Sequence, residues 1–583
     1  MIAQVAFDLP LAEPFDYIIP PSLENRVSAG MRVEVLLGSR KRIGLVTGLL
    51  NHSSVDQLKS LRITLDKTPL LDAAQMALGY QLSAYYGCSL GEALFTIVRG
   101  CEKDQVGPPV LKKSSSVLNL YFVPSGQYEA VLASLIKPWA EKKQRVLVLV
   151  ADQYIASSVE GLLKKYFTSW DYVIGTRSSV FRSLSDIGLV MMVDEDNPSF
   201  KQEQTPMYET RDVLLMRAKI EAIEVAFVST TPTVEMMHLV DQKQVKLKEH
   251  PLKDTVKLQM VDLNNYKIML RGILSPALLS PLESNLAQKR KTILVFNHRG
   301  SYAMTRCACG FVLKCQRCES PMLHSKVKKQ YLCRHCNFQL SSDILCPSCH
   351  KKPVKGKSSW QSFGFGIEQL QKALQDKYPT ARIETFERGA QEVLKDWDIL
   401  IGTVALLRFK NQLKAELVAF LDIDSELNRM DMRSCFRAFS MVQHLRVMAQ
   451  KQVLIQSRQM DHYVIRSLRE DNRAIFYQED MKIRRELGFS PFAHQVGIYF
   501  RGADPTEVEK AAQGVYQKLA QNKSSDEQIH APSTEGVVNK RGQYRLNILL
   551  QGADVVAMIA FIKQVLKSIK RQAKVIITFN VDP

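Results

Sequence analysis

The residues with the clearest chemistry are eight cysteines that come in four close pairs. Two cysteines in a tight turn direct two thiolates at one ion, and a second pair completes a tetrahedral four-thiolate site. The eight are Cys307, Cys309, Cys315, Cys318, Cys333, Cys336, Cys346 and Cys349, out of eleven in the chain. This spacing predicts two structural zinc ions per chain.

Two other uses of paired cysteines stay open at this point. An iron–sulfur cluster also takes four cysteines, although they usually form a tighter run with one distant partner. Disulfides require an oxidising compartment, and the N-terminal sequence MIAQVAFDLPLAEPFDY lacks the basic segment of a secretory signal. We expect His324, His335 and His350, in the same stretch, to be surface or supporting groups rather than ligands.

The cysteine-rich stretch is short and basic. Between positions 304 and 356, ten Lys or Arg stand against two Asp or Glu. A module of this size has little core of its own, so metal binding supplies folding free energy, on the order of 10–16 kcal/mol per site. A basic zinc module favours nucleic acid over a small molecule as the ligand.

The chain as a whole is also positively charged. It has 583 residues and a formal net charge of +19. This length suggests about three to five domains, and the 46% hydrophobic content allows sizeable cores. Without an apolar run of about 18 residues, the sequence predicts no membrane span. We therefore expect a cytoplasmic protein whose positive charge binds phosphate backbones.

The elements that must position these residues can be read from the apolar pattern. Two stretches alternate continuous apolar runs with helical patterns, which is typical of parallel sheets covered by helices on both faces. The fold class is therefore multidomain α/β. The predicted segments are a β-rich N-terminal domain at 1–104, a linker at 105–117, a first α/β unit at 118–254, a second at 255–303 and 357–455, the cysteine insertion at 304–356, and an α+β C-terminal domain at 456–583.

Several segments, in order, resemble one bacterial family. Gly175–Phe181 reads GTRSSVF where that family has GTRSAVF, and Asp194–Asn197 reads DEDN where it has DEEH. Leu421–Ser425 reads LDIDS for LDADS, and Arg484–Phe492 reads RRELGFSPF for RRxLGYPPF. Together with the cysteine pairs, these segments resemble the primosomal protein N′ (PriA) family of replication-restart DNA helicases over nearly the whole chain.

The resemblance implies two RecA-like helicase lobes in the α/β units and a 3′-DNA-end-binding domain at the N-terminus. In that domain Phe15, Asp16, Gly38 and Lys59 match the positions that hold the terminal nucleotide. An aromatic ring can stack on a base, and Asp can accept a hydrogen bond from a 3′-hydroxyl. Glycine allows close backbone approach, and Lys meets phosphate. A core role for Phe15 and a solvated surface role for Lys59 stay open.

The resemblance also implies ligand sets and partners. The first pair of cysteines is Cys-x-Cys where the family has Cys-x-x-Cys, so Cys307 is displaced by one residue. Spacing alone also allows the four cysteine pairs to be used in sequence, with the first two pairs at one zinc ion and the last two at the other. The implied partners are branched and single-stranded DNA, other primosome proteins and single-stranded-DNA-binding protein, with no membrane. The implied zinc sites are Cys307, Cys309, Cys346 and Cys349 for one ion, and Cys315, Cys318, Cys333 and Cys336 for the other.

The nucleotide pocket departs from the family. A phosphate loop needs a Lys for the β- and γ-phosphates and a Ser or Thr for magnesium. Those positions hold Gln127 and Tyr128. Asp194 and Glu195, which resemble the family's magnesium-binding and water-orienting residues, remain in VMMVDE. The pocket is therefore expected to be degenerate, and ATP and magnesium are doubtful cofactors.

The arginine-finger segment departs as well. The family's QVAGRAGR reads HLRVMAQK here, with Met448 and Lys451 at the two arginine positions and Arg446 out of register. Loss of an arginine finger alone lowers the rate of phosphoryl transfer on the order of 10³–10⁵-fold. In addition, residues 105–117 leave no room for the winged-helix domain that the family carries.

Two functions from different classes follow. The first is a protein that binds branched DNA at stalled forks and supports primosome assembly without hydrolysing ATP. The second is an active ATP-dependent 3′–5′ DNA helicase with an altered nucleotide pocket. Because the phosphate loop, the metal ligand and the finger all depart from the family, the sequence favours the first.

Overall fold

The computed structural model describes most of the chain. Gln127, Cys318, Cys336 and His335, together with most of the predicted linker, lie outside the described residues. The described residues are 1–101, 115–123, 128–249, 256–266, 269–270, 273–297, 304–307, 309, 311–316, 322–325, 330–333, 338–341, 344–350, 360–363, 367–386, 396–429, 431–540, 543–569 and 574–583.

The N-terminal domain is a six-stranded sheet followed by two helices. Its strands are β1 (Ile2–Ala6), β2 (Phe15–Ile18), β3 (Arg32–Leu37), β4 (Arg40–Leu50), β5 (Lys59–Ser60) and β6 (Ile63–Thr64), and its helices are α1 (Ala73–Tyr86) and α2 (Leu90–Gly100). The strand order is β5-β2-β1-β4-β3-β6, antiparallel except for the β2–β5 pair. Asp72 and Gln75 form a capping box that begins α1. The two-residue turn between β3 and β4 has Gly38 at its first central position with a φ of 62°, which favours glycine.

The first α/β unit is a six-stranded, fully parallel sheet. Its elements are β7 (Val117–Phe122), α3 (Tyr128–Glu141), β8 (Arg145–Leu149), α4 (Gln153–Leu163), β9 (Tyr172–Gly175), β10 (Ile187–Val193), α5 (Thr210–Glu221), β11 (Glu224–Ser229), α6 (Val234–Asp241) and β12 (Lys246–Glu249). The strand order is β12-β7-β11-β10-β8-β9. In β10, six of the seven residues are buried, as expected for a strand covered on both faces.

The second α/β unit is also a six-stranded parallel sheet, and the cysteine-rich module interrupts it. It opens with β13 (Lys257–Asp262), α7 (Pro276–Ala287) and β14 (Thr292–Val295). The module follows, with β15 (Met304–Cys307), β16 (Leu323–Ser325), β17 (Gln330–Leu332), β18 (Gln339–Ser341) and β19 (Trp360–Phe363). The sheet then resumes with α8 (Ile367–Lys377), β20 (Ile383–Phe386), β21 (Ile399–Gly402), β22 (Ala415–Phe420), α9 (Asp424–Leu427), α10 (Ser434–Met448) and β23 (Ala449–Ser457), in the order β13-β23-β22-β14-β21-β20.

The C-terminal region is an antiparallel sheet preceded by two helices. Its elements are α11 (Tyr463–Arg469), α12 (Arg473–Glu486), β24 (His494–Gly502), α13 (Pro505–Asn522), β25 (Gln528–Lys540), β26 (Gln543–Gly552), α14 (Val555–Lys567) and β27 (Ile576–Val581). The strand order is β25-β26-β24-β27. The chain is thus a mixed α/β protein. Among the described residues, no helix has the length and apolar character needed to cross a bilayer.

One hydrophobic core joins three of these regions. It contains Leu82 from α1, Met192 from the first parallel sheet and Ile559 from α14. At Gly87, which ends α1 with a φ of 72°, a Cβ atom would lie 2.7 Å from the ring of Phe579. The N-terminal domain, the first parallel sheet and the C-terminal region therefore pack as one body.

Candidate DNA-end site, nucleotide cleft and metal centre

The predicted DNA-end residues begin on β2, next to one edge of the N-terminal sheet. Phe15 is 42% exposed, and its ring meets Phe7 edge-on with the ring centroids 6.0 Å apart. One face of an aromatic side chain on this strand is therefore available for stacking on a base, since base–aromatic stacking tolerates any sequence.

Asp16, the next residue, is held by a serine that the sequence did not single out. The Ser53 hydroxyl donates to Asp16 Oδ2 over 2.5 Å. The amide of Val55 donates to the same Ser53 oxygen over 3.1 Å, which fixes the direction of the hydroxyl. Among the described residues, Asp16 forms no ion pair. Its Oδ1 can therefore accept a hydrogen bond from a ligand.

Gly38 and Lys59 lie on neighbouring segments. Lys59 is on β5, where Tyr17 is its partner on β2, and its ammonium donates to the carbonyl oxygen of Gly38 over 2.5 Å. A Cβ atom at Gly38 would have no other atom within 4 Å, so a DNA backbone has room to approach there. A lysine ammonium has three donors, so Lys59 keeps N–H groups for a phosphate.

The cleft between the two parallel sheets has Asp194 at its centre. Asp194 follows β10 directly, has a φ of 54° and is 4% exposed. The Tyr128 hydroxyl donates to Asp194 Oδ1 over 2.8 Å and accepts from the Asp194 amide over 3.1 Å. Burial and the adjacent carboxylate raise the pKa of Tyr128 far above its ordinary value, so the phenol stays a donor. The tyrosine therefore occupies one of the two Asp194 oxygens that could contact a metal ion.

The other oxygen of Asp194 is occupied from the second sheet. Lys410, which ends the 3₁₀ segment Val404–Phe409 after β21, lies with Nζ 2.7 Å from Asp194 Oδ2. The same ammonium lies 3.1 Å from His444 Nδ1. Since an ammonium only donates, His444 Nδ1 accepts and its Nε2 donates to Asp196 Oδ2 over 2.9 Å.

Glu195 is engaged within the first sheet. The Thr233 amide donates to Glu195 Oε1 over 2.6 Å, and the Thr233 hydroxyl lies 3.1 Å from Oε2. Burial raises the pKa of Glu195 to about 8, with the charge of Asp196 adding to the rise and Arg211 opposing it. Both oxygens of Glu195 are thus hydrogen-bonded to Thr233.

The two arginine-finger positions lie elsewhere. Met448 is fully buried in the core of the second sheet, and Lys451 is exposed on β23. Arg446, the nearby arginine, forms a two-pronged ion pair with Asp471, with N···O distances of 2.5 and 3.1 Å. Arg446 is therefore held by an ion pair to the turn that follows α11.

Four cysteines of the insertion converge. The ligand atoms of Cys307, Cys309, Cys346 and Cys349 all lie within 4.8 Å of one another, and the 307–349 and 309–346 sulfur pairs are each 3.6 Å apart. Around a zinc ion with bonds of about 2.3 Å, tetrahedral sulfurs are about 3.8 Å apart, so the set fits zinc. β15 positions Cys307 through its pairing with Trp360 on β19. A hydrogen bond from the backbone of Phe311 lowers the pKa of Cys309 to about 7, which favours the thiolate that a metal requires.

The second predicted metal set is only partly described. Cys315 and Cys333 are both buried in the small core of the module, together with Tyr331. Their predicted partners, Cys318 and Cys336, lie outside the described residues. The structure therefore supports one metal site by its geometry, and the count of two zinc ions stays a prediction.

Comparisons with known proteins agree with this arrangement at both ends of the chain. Residues 4–99 match the model of the 3′DNA-binding domain of PriA, and residues 485–583 match that of the primosomal protein N C-terminal domain. The chain is similar to PriA proteins at both ends. The predicted DNA-end residues and the C-terminal sheet lie within the two matched regions.

Three PriA proteins are similar to this chain, two of them over nearly their full length. The chain is similar to the replication restart protein PriA of Rickettsia conorii, with 22% identity over 99% of this chain and 98% of the relative. It is similar to PriA of Treponema pallidum, with 23% identity over 100% of this chain and 99% of the relative. PriA of Synechocystis sp. is 28% identical over 70% of this chain and 52% of the relative.

Two residues at these sites were missed by the sequence. Ser53 lies in the loop between β4 and β5, and Lys410 is 216 positions from Asp194. Ser53 could have been found only as a small polar residue in a loop that flanks a predicted PriA site. For Lys410 the available signal was only a basic residue shortly after β21.

Proposed function

We propose that this protein recognises branched DNA through a free 3′ end, supports primosome assembly and does not hydrolyse ATP. The proposal includes two structural zinc ions in the basic cysteine module. It treats the two parallel sheets as RecA-like lobes that no longer operate as a motor.

The DNA-end part of the proposal is supported by the positions of four residues. Phe15 and Asp16 lie on β2, which pairs with β5, and Lys59 on β5 donates to the carbonyl of Gly38 in the β3–β4 turn. A stacking ring, an acceptor-only carboxylate and an ammonium suit a 3′-terminal nucleotide with a free hydroxyl. A 3′-phosphate would bring negative charge next to Asp16.

The absence of ATP hydrolysis is supported above all by the contact between Tyr128 and Asp194. The phenol is bonded to the carboxylate over 2.8 Å, at the position where the family has a hydroxyl that binds magnesium. Lys410 takes the other oxygen. Without a metal, the negative charge of a triphosphate is uncompensated, and Met448 supplies no cation to the transition state.

The cysteine module supplies part of the non-specific affinity. Its excess of Lys and Arg points to phosphate contacts, which release counterions when DNA binds. Each contact should contribute roughly −0.7 to −0.9 to the slope of log affinity against log salt. Zinc would be held by Cys307, Cys309, Cys346 and Cys349, and it would fix the fold of the module rather than take part in chemistry.

Phosphate release by the purified full-length chain tests the ATPase part. With and without forked DNA, turnover should stay below about 1 s⁻¹, the lower end of ordinary enzyme rates. A DNA-stimulated turnover above that value returns the protein to the helicase class.

Equilibrium binding to forks tests the DNA part. The fork with a 3′-hydroxyl on the arm end should bind more tightly than the same fork with a 3′-phosphate. The variants Phe15→Ala and Asp16→Ala should remove this preference. Asp56→Ala changes an exposed carboxylate in the same domain and serves as the control. Equal affinity of the wild-type protein for both ends contradicts the assignment.

A further inference from the structure

The carboxyl edges of the two parallel sheets are joined by side chains at the place where a helicase would bind its nucleotide. We propose that Lys410 acts as a built-in cation in place of the magnesium–nucleotide, so that the two sheets stay joined and DNA affinity does not respond to nucleotide. This inference rests on the proposed loss of ATP hydrolysis. It adds that side chains hold the two sheets together in one arrangement.

The central contact is a buried ion pair between the sheets. Lys410 Nζ lies 2.7 Å from Asp194 Oδ2, with the two side chains 11% and 5% exposed. Lys410 comes from the second sheet and Asp194 from the first. A metal ion entering the cleft would have to displace an ammonium that already balances this carboxylate.

A second set of contacts extends the pair. His444 and Ser440, both on α10, approach Asp196 Oδ2 at 2.9 and 2.7 Å. Thr230, just after β11, lies 3.2 Å from the Nδ1 atom of His444. Two of the three acidic residues that follow β10 are thus tied to the second unit, Asp194 by Lys410 and Asp196 by α10. We call Lys410, His444, Asp194 and Asp196 the inter-sheet joint.

Further contacts between the two units lie beside the inter-sheet joint. Tyr154, on α4 of the first unit, meets Phe409 edge-on with ring centroids 4.5 Å apart. Its hydroxyl also bonds to Gln412. Arg408 pairs with Asp152 over 3.3 Å. These contacts cover the approach along α4.

On the other side, α12 contacts both units. The ring of Phe476 stacks on Phe439 of α10, with centroids 4.2 Å apart and the planes parallel within 1°. The next residue, Tyr477, donates its hydroxyl to the Pro232 carbonyl of the first unit over 2.6 Å. Opening the cleft therefore requires breaking contacts on both sides of the joint, and none of these contacts needs a nucleotide.

Hydrogen–deuterium exchange of the full-length protein tests the joint directly. In the wild-type protein, protection of segments 152–156 and 404–412 should be the same with and without magnesium and a non-hydrolysable ATP analogue. The dissociation constant for forked DNA should also change less than about twofold. In Lys410→Met, exchange in both segments should rise at least about tenfold, which corresponds to about 1.4 kcal/mol of opening free energy.

Lys414→Met is the matched control. Lys414 lies four residues further on, and its ammonium donates to the Val447 carbonyl within the second unit. Exchange at 152–156 should not change in this variant. If Lys410→Met does not fold, Asp194→Asn combined with Lys410→Met removes both charges and should fold with the same loss of protection.

The outcomes separate the two proposals. Equal exchange in Lys410→Met and Lys414→Met, or a wild-type response to the ATP analogue, overturns the joint. ATP turnover in the wild-type protein overturns the proposed function, whatever the exchange shows. Wild-type protection that ignores the analogue, lost only when Lys410 is replaced, supports both.

Discussion

The contact between Ser53 and Asp16 gives a sharp prediction about recognition of the 3′ end. Asp16 Oδ2 is held by the serine hydroxyl, and Oδ1 is left for the ligand. A hydrogen bond to a charged group contributes about 1.5–3 kcal/mol. Asp16→Ala should therefore weaken binding to a 3′-hydroxyl end about 10- to 160-fold.

Ser53→Ala should have a smaller effect, because it frees the carboxylate without removing it. Ordering a mobile side chain on binding costs about 0.5–1.5 kcal/mol, which corresponds to about a 2- to 12-fold loss of affinity. In the Asp16→Ala background there is no carboxylate to orient. There the second substitution should change affinity by less than about 1.5-fold.

Fluorescence anisotropy with labelled forks measures all four corners of this cycle. The neighbouring serine provides the control, since Ser54 is exposed and Ser54→Ala should bind like the wild-type protein. If Ser53→Ala weakens 3′-hydroxyl and 3′-phosphate ends equally, or acts as strongly without Asp16, then the serine does not work through the carboxylate.

Three further predictions concern the metal, the pocket and pH. Elemental analysis of the wild-type protein should return two zinc ions per chain, and a value clearly below two counts against the prediction. Cys349→Ser should lower the zinc content to about one per chain and weaken DNA binding. The double substitution Gln127→Lys and Tyr128→Thr restores the family's phosphate-loop residues but no arginine finger, so phosphate release should stay at background. Measurable DNA-stimulated turnover would contradict this. Burial lowers the pKa of His494, but the hydrogen bond and charge of Asp582 outweigh it and raise the pKa overall. The pair should therefore stabilise the fold fully below about pH 6.5 and lose its contribution as pH rises through the raised pKa. Asp582→Asn should accordingly lower the melting temperature at pH 6 more than at pH 9, and an equal decrease at both pH values is the contrary result.

The sequence predicted those strands that are buried on both faces. β10 reads IGLVMMV and is recognisable as a continuous apolar run. β12 reads KLKE, with three of its four residues exposed, and lies at the edge of its sheet. β25 contains a proline and a glycine that normally mark turns. The apolar pattern does not predict β12 or β25, because a strand at the edge of a sheet needs an apolar side chain on one face at most.

The candidate sites show the same division. Paired cysteines carry their chemistry in their spacing, but the set that converges was implied by the family resemblance, because spacing alone also allowed sequential pairing. Loss of the arginine finger stays a prediction from the sequence, which gave no sign that Arg446 would pair with Asp471. The partnership of Lys410 with Asp194 depends on how two sheets face each other, and a lone lysine has no periodic signal.

The continuous core described above has a consequence for how DNA can be read. Because the helices behind the 3′-end domain share their interior with the first parallel sheet and the C-terminal sheet, rotating that domain would expose residues such as Leu82 and Tyr86. The pocket at Phe15 therefore stays at one distance and one orientation from the cleft between the sheets. If the 3′ end binds at Phe15 as proposed, this fixed spacing selects forks whose distance from the 3′ end to the branch point matches it.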